Sequence, residues 1–174
     1  MDTEQTLDFN LLPAFCQARV LVLGVGNVLF GDDGFGPVVI ESLLQGYDIP
    51  DDVYVMDVGT GVRKLLFTLI LGDTLPEEIV IVDAVDWGYS IGDVQEISAD
   101  ELPVTKIDDF SLHQVPTSNM LRELQDHSQV KVSVVVCDIG NLPQKIDPGL
   151  SPEIQQAVQS AAEKIATRFS LEPL

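Results

Sequence analysis

The sequence is short of cations: 9 Lys+Arg stand against 28 Asp+Glu, a formal net charge of −19 at pH 7. A surface of that sign repels phosphate backbones and anionic headgroups, which excludes a general nucleic-acid binder and argues against an anionic membrane as partner. Its plain meaning is a soluble, strongly solvated acidic surface, with a dedicated basic partner as the alternative. Cysteine is scarce as well. Cys16 and Cys137 are too few for a disulfide framework or a thiolate metal cluster. Both fall in or near apolar segments, where a small buried hydrophobe is expected. Histidine is limited to His113 and His127. No stretch approaches the roughly 20 uninterrupted apolar residues of a membrane helix. The opening MDTEQTLDFN has no basic region before an apolar run, so no secretory signal is expected and the cytoplasm is the expected location.

What is present suffices for one core. At 174 residues and 45% hydrophobic, the chain is the length of one ordinary domain and can bury enough surface to fold. No repeat or long linker divides it, so residues 1–18 read as an N-terminal extension and 19–174 as a single domain. Short apolar runs alternate with amphipathic stretches. The runs 19–24, 53–58, 79–85 and 131–137 read as strands, with 92–97 as a short strand at an edge. Helices are expected from Gly34 with Val38, Val39, Leu43 and Leu44 on one side, over 62–71, from Pro116 to Gln125, and from Ser151. Ser151 suits an N-cap, with Pro152 in the first helical position. This order predicts a three-layer α/β/α sandwich around a mostly parallel, mixed sheet of about five strands.

In such sheets ligands bind beyond the carboxyl ends of the strands. Three strands end there in glycine-rich or acidic segments: Gly24-Val-Gly-Asn-Val-Leu-Phe-Gly-Asp-Asp-Gly-Phe-Gly36, Asp57-Val-Gly-Thr-Gly61 and Asp83-Ala-Val-Asp86. A dinucleotide fingerprint fails because its third glycine would fall at Leu29, and Asp32 and Asp33 would oppose a pyrophosphate. A tight turn accounts for Gly24 and Gly26. Asp83 interrupts an apolar run, so its charge must be paired or bound to a cation. Asp33, Asp83 and His113 can form a divalent-metal site with open positions, whereas His127 reads as a helix end or surface residue. No nucleophile elbow, Cys–His pair or His-Glu-x-x-His helix occurs, and Thr60 reads as a turn residue.

The run Val22-Leu-Gly-Val-Gly-Asn-Val-Leu-Phe-Gly-Asp-Asp-Gly-Phe-Gly36 resembles the N-terminal signature of the hydrogenase maturation endopeptidases. The likeness continues through 57–61, Ile81-Val-Asp-Ala-Val85 and His113-Gln114, over roughly residues 19 to 169. It implies an α/β sandwich that removes a C-terminal extension from the large subunit of nickel–iron hydrogenases after nickel insertion, without a conventional triad. The family's metal ligands fall on Asp33, Asp83 and His113. These would recognise nickel supplied mainly by the substrate, with surrogate divalent metals such as cadmium also accepted. Asp57, Gly59 and Thr60 would contact substrate. The runs 83–88 and 113–121 look most like members serving deazaflavin-reducing hydrogenases of methanogenic archaea. The readings left beside it are a non-catalytic accessory or chaperone subunit binding the same large subunit, and a nucleotide-binding α/β module.

Overall fold

A computed structural model describes residues 14–72, 74–101, 114–141 and 145–174. Its strands are β1 (Val20–Val25), β2 (Tyr47–Asp48), β3 (Val53–Gly59), β4 (Glu78–Val85), β5 (Val94–Ser98), β6 (Lys131–Asp138) and β7 (Glu172–Pro173). The helices are α1 (Phe35–Gly46), α2 (Val62–Ile70), α3 (Gln114–His127) and α4 (Pro152–Phe169). Five strands form one sheet in the order β3-β1-β4-β6-β5. All its pairs are parallel except β5 on β6, which is antiparallel and forms the edge. The sandwich and mixed sheet expected from the apolar pattern are therefore present.

Strand residues alternate between two apolar layers. Val20, Val22, Val80, Val82, Val135 and Cys137 point to the side covered by α1 and α4. Leu21, Leu23, Ile79, Ile81, Val134 and Val136 point to the side covered by α2 and α3. Both faces are dry, which is why these strands read as continuous apolar runs rather than alternating ones.

Local chemistry sets the helix ends. Ser151 is the N-cap of α4, its Oγ accepting the N–H of Ile154 at 3.4 Å, and Pro152 opens the helix. Two boundaries differ from expectation. Helix α3 begins at Gln114 and runs to His127, longer at both ends than the span from Pro116, because proline is tolerated anywhere in a first turn and does not mark its start. Leu44 is half exposed, since α1 buries Phe35, Val39, Ile40 and Leu43 instead. The ribbon of β2 and β7 pairs only two residues from each strand and left no pattern to read.

The amino ends of the strands are tied by ions. Arg168 of α4 bridges Glu78 at the start of β4 and Glu96 of β5, and its Nη1 donates to Ser133 Oγ at 3.0 Å. At the carboxyl ends the chain uses glycine and aspartate instead.

Candidate active site

β3, β1 and β4 are adjacent and parallel, so the three segments singled out in the sequence emerge along one edge. The turn after β1, Gly31–Gly34, lies against β4. Glycine brings them together by close approach. A Cβ on Gly36 would stand 2.2 Å from the Val25 carbonyl and 2.4 Å from that of Val82. A Cβ on Gly24 would meet Ile40 Cγ1 at 2.5 Å and the Gly36 carbonyl at 2.7 Å. The start of α1 thus rests directly on two strand backbones. Of the pair Gly24 and Gly26, it is Gly26 that serves the tight turn: its φ is 133°, and a Cβ there would meet the Asp33 carbonyl at 1.9 Å. Gly24 lies inside β1 and answers to the helix instead.

The first loop consumes its own amides. Asn27 N–H donates to Asp33 Oδ2 at 2.9 Å, Leu29 N–H to Asn27 Oδ1 at 3.0 Å, and Phe30 N–H to the Asn27 carbonyl at 2.9 Å. A phosphate cradle needs those groups turned outward; here they close the loop and hold Asp33, which disfavours the nucleotide reading. Asp32 is also engaged. Its Oδ1 accepts the Ser151 N–H at 2.6 Å, so Asp32 ties this loop to the start of α4.

Asp83 is different in kind. It shares a strand face with Ile79, Ile81 and Val85, on the side covered by α2 and α3, and is half-buried. Its Oδ1 accepts the N–H of the adjacent Ala84 at 2.9 Å. Burial pushes its carboxyl well above the ordinary value; the nearby Asp33 carboxylate pushes the same way, and the Ala84 N–H opposes them. Asp33, in the turn after β1, thus lies close enough to Asp83, near the end of β4, for its charge to be felt there. Among the described residues no group of three His, Cys, Asp and Glu side chains is gathered closely enough to hold a metal ion. His113, the third expected ligand, lies outside the described residues, one position before α3. His127 is the last residue of α3, as expected of a helix end.

Asp57, two residues before the end of β3, is exposed and accepts the Gly59 N–H at 2.8 Å; the Gly59 carbonyl in turn accepts the Gly26 N–H at 3.1 Å. Thr60 is exposed in the turn that follows. These residues border the first loop. Cys137 is buried on the opposite face, where desolvation, with Asp138, Asp32 and Asp93, pushes its thiol up to about 12. Such a thiol is inert, as its apolar setting suggested.

The matching family model is described as hydrogenase maturation protease, and it covers residues 37–168. The chain belongs to the hydrogenase maturation protease family. A Methanocaldococcus jannaschii protein named as a hydrogenase maturation protease is 39% identical over 147 residues, 84% of this chain and 93% of its own. The coenzyme F420 hydrogenase subunit delta of Methanothermobacter thermautotrophicus is 33% identical over 156 residues, covering 85% and 92% of the two chains. Among solved structures, the hydrogenase maturating endopeptidase HybD from E. coli superposes with a TM-score of 0.70 at 27% identity, over 90% of this chain and 96% of that one. The family, its fold and its endopeptidase activity therefore stand as the sequence motifs implied.

One residue of this edge escaped the sequence reading. Asp138 ends β6, directly after an apolar run, and is 1% exposed. Its carboxylate accepts the N–H groups of Trp87 and Tyr89 at Oδ2, at 3.0 and 2.9 Å, and that of Gly140 at Oδ1, at 2.9 Å. The only signal in the sequence was its place after a strand, which solvent-facing carboxylates share.

Proposed function

We propose that the protein removes the C-terminal extension of a nickel–iron hydrogenase large-subunit precursor after nickel has been inserted. In this reading Asp33, Asp83 and His113 recognise the nickel, which arrives as part of the substrate. The observation that supports it is the approach of Asp33, in the turn after β1, to Asp83 on β4, two carboxyl groups at the expected edge of the kind that bind a divalent cation. Carboxylate oxygens completed by an imidazole suit a divalent metal of nickel's kind, and three protein ligands leave positions for donors already on the ion. Such a site holds free metal weakly; nickel gripped by the precursor's own thiolates would join a metal contact to a protein contact, and the two together bind far more tightly than either. Asp57, Gly59 and Thr60, which border the first loop, would contact the peptide beside the ion. Likeness to the F420 hydrogenase delta subunit supports a deazaflavin-reducing hydrogenase of a methanogenic archaeon as the source of the precursor. Among the described residues no helix is long and apolar enough to cross a membrane; the cytoplasm is the site of action in this reading.

The test strips metal from both partners and restores nickel to each separately before mixing, reading mass loss at the precursor's C-terminus. Cleavage restored through the precursor supports the reading. Efficient cleavage of a metal-free precursor overturns nickel recognition and leaves an ordinary peptidase. The second reading, an accessory subunit that binds without cutting, draws on the subunit name of the M. thermautotrophicus relative; stable association without mass loss would favour it.

A further inference from the structure

The segment between β4 and β5 is built as a rigid projection. Gly88, at φ 78°, turns the chain so that the N–H groups of Trp87 and Tyr89 both reach Asp138 Oδ2. The far end is fixed as firmly. Gly92 N–H donates to the Asp138 carbonyl at 2.8 Å, and the Asp138 N–H donates to the Asp93 carbonyl at 3.1 Å. One buried residue thus holds both ends of a short loop through side chain and backbone. Two amides on Oδ2 and the Gly140 amide on Oδ1 satisfy both oxygens of the buried carboxylate.

What this loop displays is apolar. Trp87 is half-buried against the α2/α3 core, and Tyr89 stands edge-on to it with ring centroids 6.4 Å apart. Tyr89 is 53% exposed, and Ile91, which rests over Gly140, is 58% exposed. Isolated exposed hydrophobes mean little. These two are held on a backbone that is already ordered, so a partner meeting them bears little entropy of fixation. The loop leaves the same strand that carries Asp83: β4 ends at Val85, whose register partner is Asp138, roughly 6.6 Å along the strand from Asp83. Asp86, Asp93 and Glu153 flank the loop, with Glu153 against Gly92. The matching surface is therefore apolar with basic neighbours, and an acidic segment is excluded.

Resting on the function proposed above, we propose that Trp87–Ile91 is a preformed docking wall for an apolar, basic-flanked segment of the hydrogenase precursor next to the scissile peptide. Tyr89 and Ile91 touch it, and Asp138 is the positioning residue that holds the wall. Both exposed side chains can be removed without disturbing the core, so the deciding variant is Tyr89→Ala/Ile91→Ala. With nickel-loaded precursor its KM should rise about tenfold or more while kcat and thermal midpoint stay near wild type. Asp138→Asn loses acceptors for the loop amides. Its KM should rise likewise, and the emission of Trp87, the chain's one tryptophan, should become more accessible to iodide at temperatures where the protein is fully folded. A purely structural Asp138 would lower the midpoint and leave KM alone. If wild type cuts the precursor and the double variant's KM stays within twofold, the wall is overturned and the processing function stands. If wild type leaves the precursor uncut, the function reading fails. Binding of fluorescently labelled precursor then decides the wall: about tenfold weaker for the double variant supports it, and equal affinity overturns it.

Discussion

Gly36→Ala puts the contact between α1 and the sheet under direct strain. The added Cβ would lie 2.2 Å from the Val25 carbonyl, 2.4 Å from that of Val82 and 2.7 Å from the Val25 nitrogen. A relaxed contact of this kind is about 3.5 Å, so the helix start must retreat by about 1 Å from two strands at once. Neither obstacle is a side chain that can rotate away. Alanine gains up to about 1 kcal/mol over glycine in a helix interior, whereas overfilling a packed site costs about 1–3 kcal/mol and more where backbone must move. The clash wins. A net loss of about 1–3 kcal/mol corresponds to a fall of roughly 3–10 °C in the thermal midpoint for a chain of this size. Activity should suffer more than stability. The loop displaced with the helix carries Asp33, and a 1 Å misplacement of a reacting constellation can cost on the order of 10²-fold. Gly46→Ala is the control: it sits at the other end of α1 with nothing within 4 Å of its Cβ. Its midpoint should hold or rise by the equivalent of about 0.5–1 kcal/mol. Circular dichroism melts and kcat/KM on the precursor read both effects. Identical melts for the two variants would refute the close-approach reasoning.

Asp83→Asn should stabilise the metal-free protein on the order of 1 kcal/mol near pH 7, because the ionised carboxyl is the unfavourable form there. Its folded pKa is raised, so Asp83's contribution is fully present below the unfolded value near 3.9 and lost as pH rises through the folded value; melts should converge at low pH and separate toward neutrality. The same substitution should weaken nickel or cadmium binding in a calorimetric titration more than Asp32→Asn does, since Asp32 is turned toward the start of α4 and Cys137, on the sheet face opposite Asp83; equal losses would dismiss the ligand assignment. His113→Ala should abolish precursor cleavage and His127→Ala should leave it largely intact. With a neutral imidazole as ligand, metal affinity should also fall as pH drops below about 6.5. An essential His127 beside a dispensable His113 would send the third ligand to another loop.

The architecture was legible in the residue pattern alone, as was the edge at which the proposed site lies. Strands covered on both faces must be apolar throughout, so the runs around Val22, Val80 and Val134 announced themselves, and alternation with helical periods dictated a parallel sheet with its loops gathered at one end. Asp83 was legible because a carboxylate inside such a run needs a proton, a partner or a cation to stay there. Tertiary structure alone decided what the neighbouring carboxylates do. Asp32 and Asp138 look alike in sequence, each an acid just after a strand or in a turn. Only the fold delivers the Ser151 N–H from 119 positions away to Asp32 and seals Asp138 among the amides of a loop some 50 residues earlier. The same holds for Gly24 and Gly36, whose reason is the distance between a helix and two strand backbones. Periodicity records which side a residue faces; it carries no record of which distant backbone group will arrive there.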